Sequence, residues 1–210
     1  MLSFLNKYAK NYFASQNGEE GLLFEILSRL DLASGFCVEA GGSNGMFCSN
    51  TALLLKSQGW RGLFVEYNWN LHLESKSNWA DNPNVRHQCS KVDGDNINAF
   101  VKDDCDLLSL DTDGLDYEIW AGLKAKPKIV IIEIDSSIPP GVLTRDDGLA
   151  CTYEHTVRLG LAKGYFLLVH TGNLIFIDNK YRKLFPEVKG DGLSNSELYF
   201  NRSWVREEAA

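Results

Sequence analysis

The 210-residue sequence has no excess of positive charge, no long uninterrupted apolar run, no paired-cysteine metal motif and no internal repeat. Each absence removes a class of function. Lysine and arginine number 21 against 28 acids, a net charge of −7, which argues against non-specific binding to a nucleic-acid backbone. The β-branched run Ile129–Ile134 is cut by Glu133 and followed by Asp135, well short of the ~20 residues that cross a bilayer. The N-terminal stretch from Met1 to Lys10 lacks the long apolar core of a secretory signal. The five cysteines (Cys37, Cys48, Cys89, Cys105 and Cys151) form no Cys-x-x-Cys pair, so no zinc site is signalled. Their odd number, with Cys37 inside an apolar strand, fits buried free thiols in a reducing cytoplasm. What is present, 44% hydrophobic and 23% charged residues, is ordinary for a globular chain that can bury a sizeable core. We expect one domain over residues 1–210, with an N-terminal helical cap (1–30) and a C-terminal tail (179–210) that shows no clear period.

The stretch Gly35–Glu66 organises the rest. It reads as an apolar run (Phe36–Ala40), a glycine-rich turn (Gly41-Gly-Ser-Asn-Gly45), a helical run (Cys48–Gln58) and a second apolar run (Leu63–Glu66) ending in an acid. That is a β-α-β unit whose turn brings backbone close to a ligand. Before it, apolar residues at helical spacing predict an amphipathic helix over Leu2–Ala14, then a second helix fed by Ser15-Gln16-Asn17-Gly18, with Ser15 or Asn17 as its cap. After it, strands are expected at Val85–Cys89, Asp106–Asp111 and Lys128–Ile134. Helices are expected at Asn68–Trp79, Asn96–Lys102 (capped by Asp95), Leu115–Leu123 and Cys151–Lys163. Tyr165–His170 and Leu174–Asp178, flanking Thr171-Gly172-Asn173, give a hairpin signal. Five β/α units closed by a hairpin predict an α/β fold. The sheet is doubly wound, seven-stranded and mostly parallel, with one antiparallel strand near its C-terminal end. The pattern resembles the Rossmann-like class I S-adenosylmethionine-dependent methyltransferase fold.

Four groups of residues carry the candidate chemistry. Glu39, Gly41 and Gly45 match the pattern Asp/Glu-x-Gly-x-x-x-Gly, whereas a dinucleotide site wants Gly-x-Gly-x-x-Gly, a spacing this turn lacks. Glu66, about 20 residues on, suits a ribose hydroxyl in either kind of site. Asp111, Asp113 and Asp116 leave the C-terminal end of the fourth strand, where open α/β sheets bind ligands. An Asp-x-Asp pair there can hold a hard divalent cation or a substrate hydroxyl. Glu133 and Asp135 end the fifth strand, an expensive place for an unpaired charge, and Asp111 and Glu133 are expected to converge. His155 and His170 lie nearer the expected mouth of the site than His72 and His87, which are expected at exposed or edge positions without a role.

Several stretches, in order over roughly residues 12–180, resemble the FkbM-like branch of methyltransferases. They are Ser15-Gln-Asn-Gly-Glu-Glu20, Val38-Glu-Ala-Gly-Gly-Ser-Asn-Gly45, Ser49-Asn-Thr51, Gly59-Trp-Arg-Gly-Leu-Phe-Val-Glu66, Asp106–Tyr117, Pro127–Glu133 and Lys163-Gly-Tyr165. The resemblance implies S-adenosylmethionine as cofactor, with Glu39, Gly41 and Gly45 at its methionine part and Glu66 at its ribose. Gln16 and Asn17 would border the pocket and Asp111 would line the transfer site. It implies O-methylation of a sugar or natural-product-like small molecule, with a small-molecule or glycan acceptor; a homo-oligomeric state stays open. Asp135 stands where the family commonly has Asn. The base is Asp111 or His155, with Asp113 beside it. Alternatively, Mg²⁺ or another divalent cation on Asp111, Asp113 and Glu133 lowers the hydroxyl's pKa. Alternative readings are an inactive cofactor- or glycan-binding module on the same fold, a Mg²⁺-dependent phosphatase using Asp111-Thr-Asp-Gly114, or a nicotinamide-dependent oxidoreductase.

Overall fold

A computed structural model describes residues 4, 7–57, 59–144, 148 and 151–193. The seven strands are β1 (Phe36–Ala40), β2 (Arg61–Glu66), β3 (Val85–Cys89), β4 (Leu107–Leu110), β5 (Ile129–Glu133), β6 (Tyr165–His170) and β7 (Asn173–Asp178). They form one sheet in the order β3-β2-β1-β4-β5-β7-β6. Every pairing from β3 to β5 is parallel, and β7 runs antiparallel to both β5 and β6. The expected doubly wound sheet with one antiparallel strand is therefore present.

The sequence of the central strands explains why they sit inside. On β5, Ile129 and Ile131 enter one hydrophobic cluster while Val130 and Ile132 enter the other. Apolar side chains on both faces suit a parallel strand covered on both sides. The first face is covered by α1 (Glu19–Arg29), by α2 (Ala52–Ser57) and by Trp79, which follows α3 (Trp69–Asn78). The second is covered by α4 (Ile97–Phe100), α5 (Asp116–Gly122) and α6 (Tyr153–Ala162), which contribute Ile97, Ile119, Trp120, Tyr153 and Val157. Strand order reverses between β1 and β4, and the crevice outside their carboxyl ends is where such sheets bind ligands.

Several local expectations change, each for a visible reason. Within the helix expected over Leu2–Ala14, Lys7 and Tyr8 are helical, but the chain leaves the helix at Ala9; residues 1–3, 5 and 6 lie outside the described residues. The amides that would continue the helix are taken by a side chain instead. The buried Glu20 carboxylate accepts from the N–H groups of Tyr12, Phe13, Ala14 and Ser15 at 2.5, 2.8, 2.7 and 3.2 Å. Neither Ser15 nor Asn17 caps α1, because Gly18 takes that position at φ 90°. Ser15 Oγ accepts from Glu20 N, and the Asn17 amide donates to Glu19. Glu19 is fully buried and also accepts from Thr171 Oγ1 at 2.7 Å and Asn173 Nδ2 at 3.4 Å, joining this segment to the β6–β7 turn. The helix after β1 starts at Ala52, not Cys48, because the intervening chain wraps around Glu39. Asp93, not Asp95, supplies the carboxylate before α4, accepting from Asp95 N and Asn96 N. The start of the tail is structured: a 3-10 helix (Asn179–Leu184) leads to Phe185, fully buried against Phe4 and Phe166. Residues 194–210 lie outside the described residues.

Glu20 gathers the N-terminal segment with one charge. Glu20→Ala strands its amide donors, and the expected cost is roughly 2–4 kcal/mol, since hydrogen bonds to a charged group are worth more than neutral ones. Urea unfolding measures it; an unchanged stability would mean that the segment does not depend on this carboxylate.

Candidate active site

The glycine turn after β1 is built by close approach. Gly41 has φ 79°, and a Cβ there would lie 1.5 Å from the carbonyl oxygen of Asp111. A Cβ on Gly42 would lie 2.7 Å from the Phe64 ring. Gly45, also left-handed at φ 73°, serves a different contact. Its carbonyl accepts from Trp79 Nε1 at 2.8 Å, and a Cβ would lie 2.4 Å from Ser75 Oγ. It seats α3 against the turn. Glu39, 2% exposed, spends its carboxylate on the same turn, accepting from Ser49 Oγ at 2.6 Å, Thr51 Oγ1 at 2.5 Å and Asn50 N at 2.9 Å. Burial pushes this carboxyl above its ordinary range, and those hydrogen bonds pull it partly back. Glu66 ends β2 and accepts from Ser43 N at 3.0 Å and Asn68 N at 2.7 Å, fixing the glycine turn to the second strand.

A cavity of about 590 Å³ opens at the carboxyl ends of β1, β2, β4 and β5. It is lined by Gln16, Glu39, Gly41, Glu66, Asp111, Asp113 and Glu133, all expected at the site from the sequence. Asn17, Gly45 and His155, also expected there, are not among its lining residues. The lining also includes residues the sequence reading passed over. Phe47 and Tyr67, each 69% exposed, stand at its edge, and Lys91 joins them. Tyr67 was detectable in principle, as the neighbour of Glu66; Phe47 and Lys91 sit in irregular chain where no period marks them.

The acids converge. Asp111 directly follows β4 and Glu133 is the last residue of β5, and the register Leu110↔Ile132 sets their strand ends side by side. One carboxylate oxygen from each of Asp111, Asp113 and Glu133 lies within 4.8 Å of the others. The Glu133 and Asp111 carboxyls thus stand side by side at the cavity. Burial, then the neighbouring negative charge, raises both. Asp116, fully buried, is pushed up to about 6 by burial. Asp135 does not join the three. Its Oδ1 accepts from the N–H and Oγ of Ser137 at 3.0 and 2.5 Å, so it shapes the start of the following loop.

The histidines stand elsewhere. His155 is held at Leu143 O by its Nδ1 at 2.9 Å, with its ring 4.2 Å from that of Tyr117. His170 is 1% exposed and bonds Ser136 Oγ through Nε2 at 2.8 Å; Ser136 Oγ donates to Gly172 O. His72, expected at an exposed or edge position, is buried and stacked beside Trp69. His87 sits against Ser75 and is pushed down to about 4, by burial and then by His72 and Lys76.

No protein-family model and no curated protein matches this chain. Solved structures do. WbdD aligns with 85% of this chain and 44% of its own length, at 15% identity and a TM-score of 0.58. The CurJ carbon methyltransferase aligns with 75% of this chain and 52% of its own, at 11% identity and a TM-score of 0.51. The precorrin-6y C5,15-methyltransferase of Geobacter metallireducens aligns with 78% of this chain and 93% of its own, at 14% identity and a TM-score of 0.50. The chain thus spans about half the length of the first two. At these identities the likeness is one of fold: the chain has the Rossmann-like architecture of class I S-adenosylmethionine-dependent methyltransferases.

Proposed function

We propose that the chain is an S-adenosylmethionine-dependent methyltransferase, related to the FkbM-like branch, that methylates a hydroxyl on a sugar or natural-product-like small molecule. One observation carries the reading. A glycine cradle, a ribose-type acid and a group of carboxylates surround a single cavity at the switch point of a methyltransferase-type sheet. The Asp-x-Asp-Gly sequence follows the fourth strand rather than the first, which weighs against the phosphatase reading.

The residues fit the cofactor on grounds of space and charge. Gly41 and Gly42 line the cavity as bare backbone, and the close approach of Asp111 and Phe64 on their other side keeps them glycine. The acids around the cavity suit a ligand bearing both an ammonium and a sulfonium. Glu66 would accept from the ribose hydroxyls, and Gly41 and Gly42 would border the methionine part. Glu39 would act by ordering the turn, since Ser49, Asn50 and Thr51 already occupy its carboxylate. S-adenosylmethionine, when bound, supplies an electrophilic methyl group. The chain's own task is to align an acceptor oxygen, exclude water and take a proton. Asp111, which lines the cavity just past β4, would be the base, its carboxyl raised by burial and by the neighbouring Asp116. The placement of His155 outside the cavity lining gives that residue no support in this role. A second reading rests on the three converging oxygens: Mg²⁺ or another hard divalent cation would sit among them and bind the hydroxyl directly.

Three measurements test these statements. Calorimetry is expected to show S-adenosylhomocysteine bound by the wild type and bound roughly 10–100-fold more weakly by Glu66→Ala, the loss of hydrogen bonds to a charged acceptor. A wild type that does not bind overturns the assignment, whereas tight binding with no transfer to any acceptor supports the inactive-module alternative. For the cation, millimolar Mg²⁺ is expected to raise the melting temperature of EDTA-treated wild type but not of Asp113→Ala; equal responses remove the metal from the mechanism.

The third concerns pH, with metal chelated. Glu39, Asp111, Asp116 and Glu133 are all raised in the folded state, which therefore holds protons the unfolded chain has released. Stability falls as pH climbs through their folded values. His87, lowered in the fold, opposes this only below its ordinary value of 6.5. From pH 6.5 to 9 the melting temperature is expected to fall, at no more than about 1.4 kcal/mol per pH unit for each titrating group, and Glu133→Gln is expected to flatten the slope. A wild-type melting temperature that is level or rising over this range refutes the raised carboxyls.

A further inference from the structure

The turn between β4 and α5 carries two of the three converging carboxylates, and its backbone is unusual. Asp113 has φ 58° and Gly114 φ 116°, two consecutive residues in the left-handed half of conformational space. A non-glycine residue persists there when its surroundings over-determine it. The surroundings here are specific. Asp116, the first residue of α5, is fully buried and reaches backwards. Its Oδ1 accepts from Thr112 N at 2.8 Å and Thr112 Oγ1 at 2.9 Å, and its Oδ2 accepts from Gly114 N at 3.2 Å. Cys151 Sγ donates to Gly114 O at 3.0 Å from the other side. The preceding residue, Leu115, makes no side-chain cap, and the Asp116 carboxylate, which also reaches its own amide, ties the turn to the start of α5. A carboxylate is costly to bury, and a neutral Asn of the same shape would set its NH₂ against the Gly114 or Thr112 donors. Asp116 does not line the cavity, so it touches no ligand and acts through Asp111 and Asp113.

We propose that Asp116 is the positioning residue of the transfer site: its buried carboxylate fixes the left-handed turn that brings Asp113 within reach of Asp111 and Glu133. The consequence for ligand binding rests on the methyltransferase reading; the control of the turn does not. Two readouts separate them.

The first is amide hydrogen exchange of the free protein. Asp116→Asn is expected to speed exchange at Thr112 and Gly114 at least 30-fold while the amides of β4 and β5 keep their wild-type rates. The second is ligand selectivity. Sinefungin carries an amine where S-adenosylmethionine carries its methyl sulfonium, whereas S-adenosylhomocysteine is uncharged at that point. The wild type is expected to bind sinefungin at least tenfold more tightly than S-adenosylhomocysteine. Asp116→Asn is expected to lose most of that preference, with S-adenosylhomocysteine affinity held within about twofold. Thr112→Val, which removes one donor to Asp116, is expected to fall between, and Thr112→Ser, which keeps it, to match the wild type. The Thr112 pair decides the matter if Asp116→Asn does not fold. Unchanged exchange at Thr112 and Gly114, or a sinefungin preference that survives Asp116→Asn or Thr112→Val, overturns the proposal. A wild type that binds neither nucleoside sinks the methyltransferase reading instead, and the exchange rates then decide the role of Asp116 alone.

Discussion

The carbonyl of Asp111 occupies the space that a side chain on residue 41 would fill. That contact is the constraint on which the site depends. It joins the turn after β1, where a cofactor's backbone cradle would lie, to the turn after β4, where the acids begin. The Asp111 amide donates to Ala40 O at 3.0 Å, and Gly41 N donates to Val65 O at 2.9 Å, so three strand ends are drawn together by backbone alone. Side chains then add to a geometry already set. Glu66 ties the second strand end to the glycine turn, and Asn50 Nδ2 reaches Ser109 Oγ in β4 at 3.1 Å. The turns after β1 and β4 cannot drift apart without breaking the sheet.

The second theme is where charge is buried. Glu19, Glu20, Glu39 and Asp116 are all hidden from solvent, and each is matched to backbone amides or hydroxyls rather than to a lysine or arginine. Amides and hydroxyls stabilise a carboxylate by directed hydrogen bonds, and unlike a long basic side chain they also fix the path of the main chain. Each of these acids therefore shapes an irregular segment that helix and strand propensity cannot specify. Asp111 and Glu133 differ: burial raises both carboxyls. The four structural acids accept from donors, whereas Asp111 and Glu133 stand against one another at the ends of β4 and β5.

The fold was legible because its signals are repetitive. β1 and β3 fall at their expected bounds, and the antiparallel strand follows from the Thr171-Gly172-Asn173 turn. Gly41 and Glu66, read from spacing, line the cavity, as do Asp111 and Glu133, read from their places at strand ends. What failed was irregular and long-range. The N-terminal segment looked helical by apolar spacing, but a carboxylate in the next element takes its amides. Gly45 fits a ligand pattern and instead seats Trp79, because a pattern of glycines does not say which neighbour needs the room. Asp135, an acid at the end of the fifth strand, stays apart from the three because an Asp followed two residues later by Ser closes its own local turn. His155 lay near the right loop by sequence and turns to that loop's carbonyl.

The Glu19 carboxylate has an implication for the order in which the protein can be completed. Its partner Thr171 lies 152 residues further along the chain. Gln16, at the edge of the cavity, sits in a segment whose anchor accepts from a hydroxyl and an amide in the last hairpin of the sheet. During synthesis the glycine turn and the acids of β4 and β5 emerge well before that hairpin. The wall that holds Gln16 is thus among the last parts of the cavity to be secured. A nascent chain that has built β1 to β5 still lacks that anchor, and the cavity wall at Gln16 waits for β6 and β7.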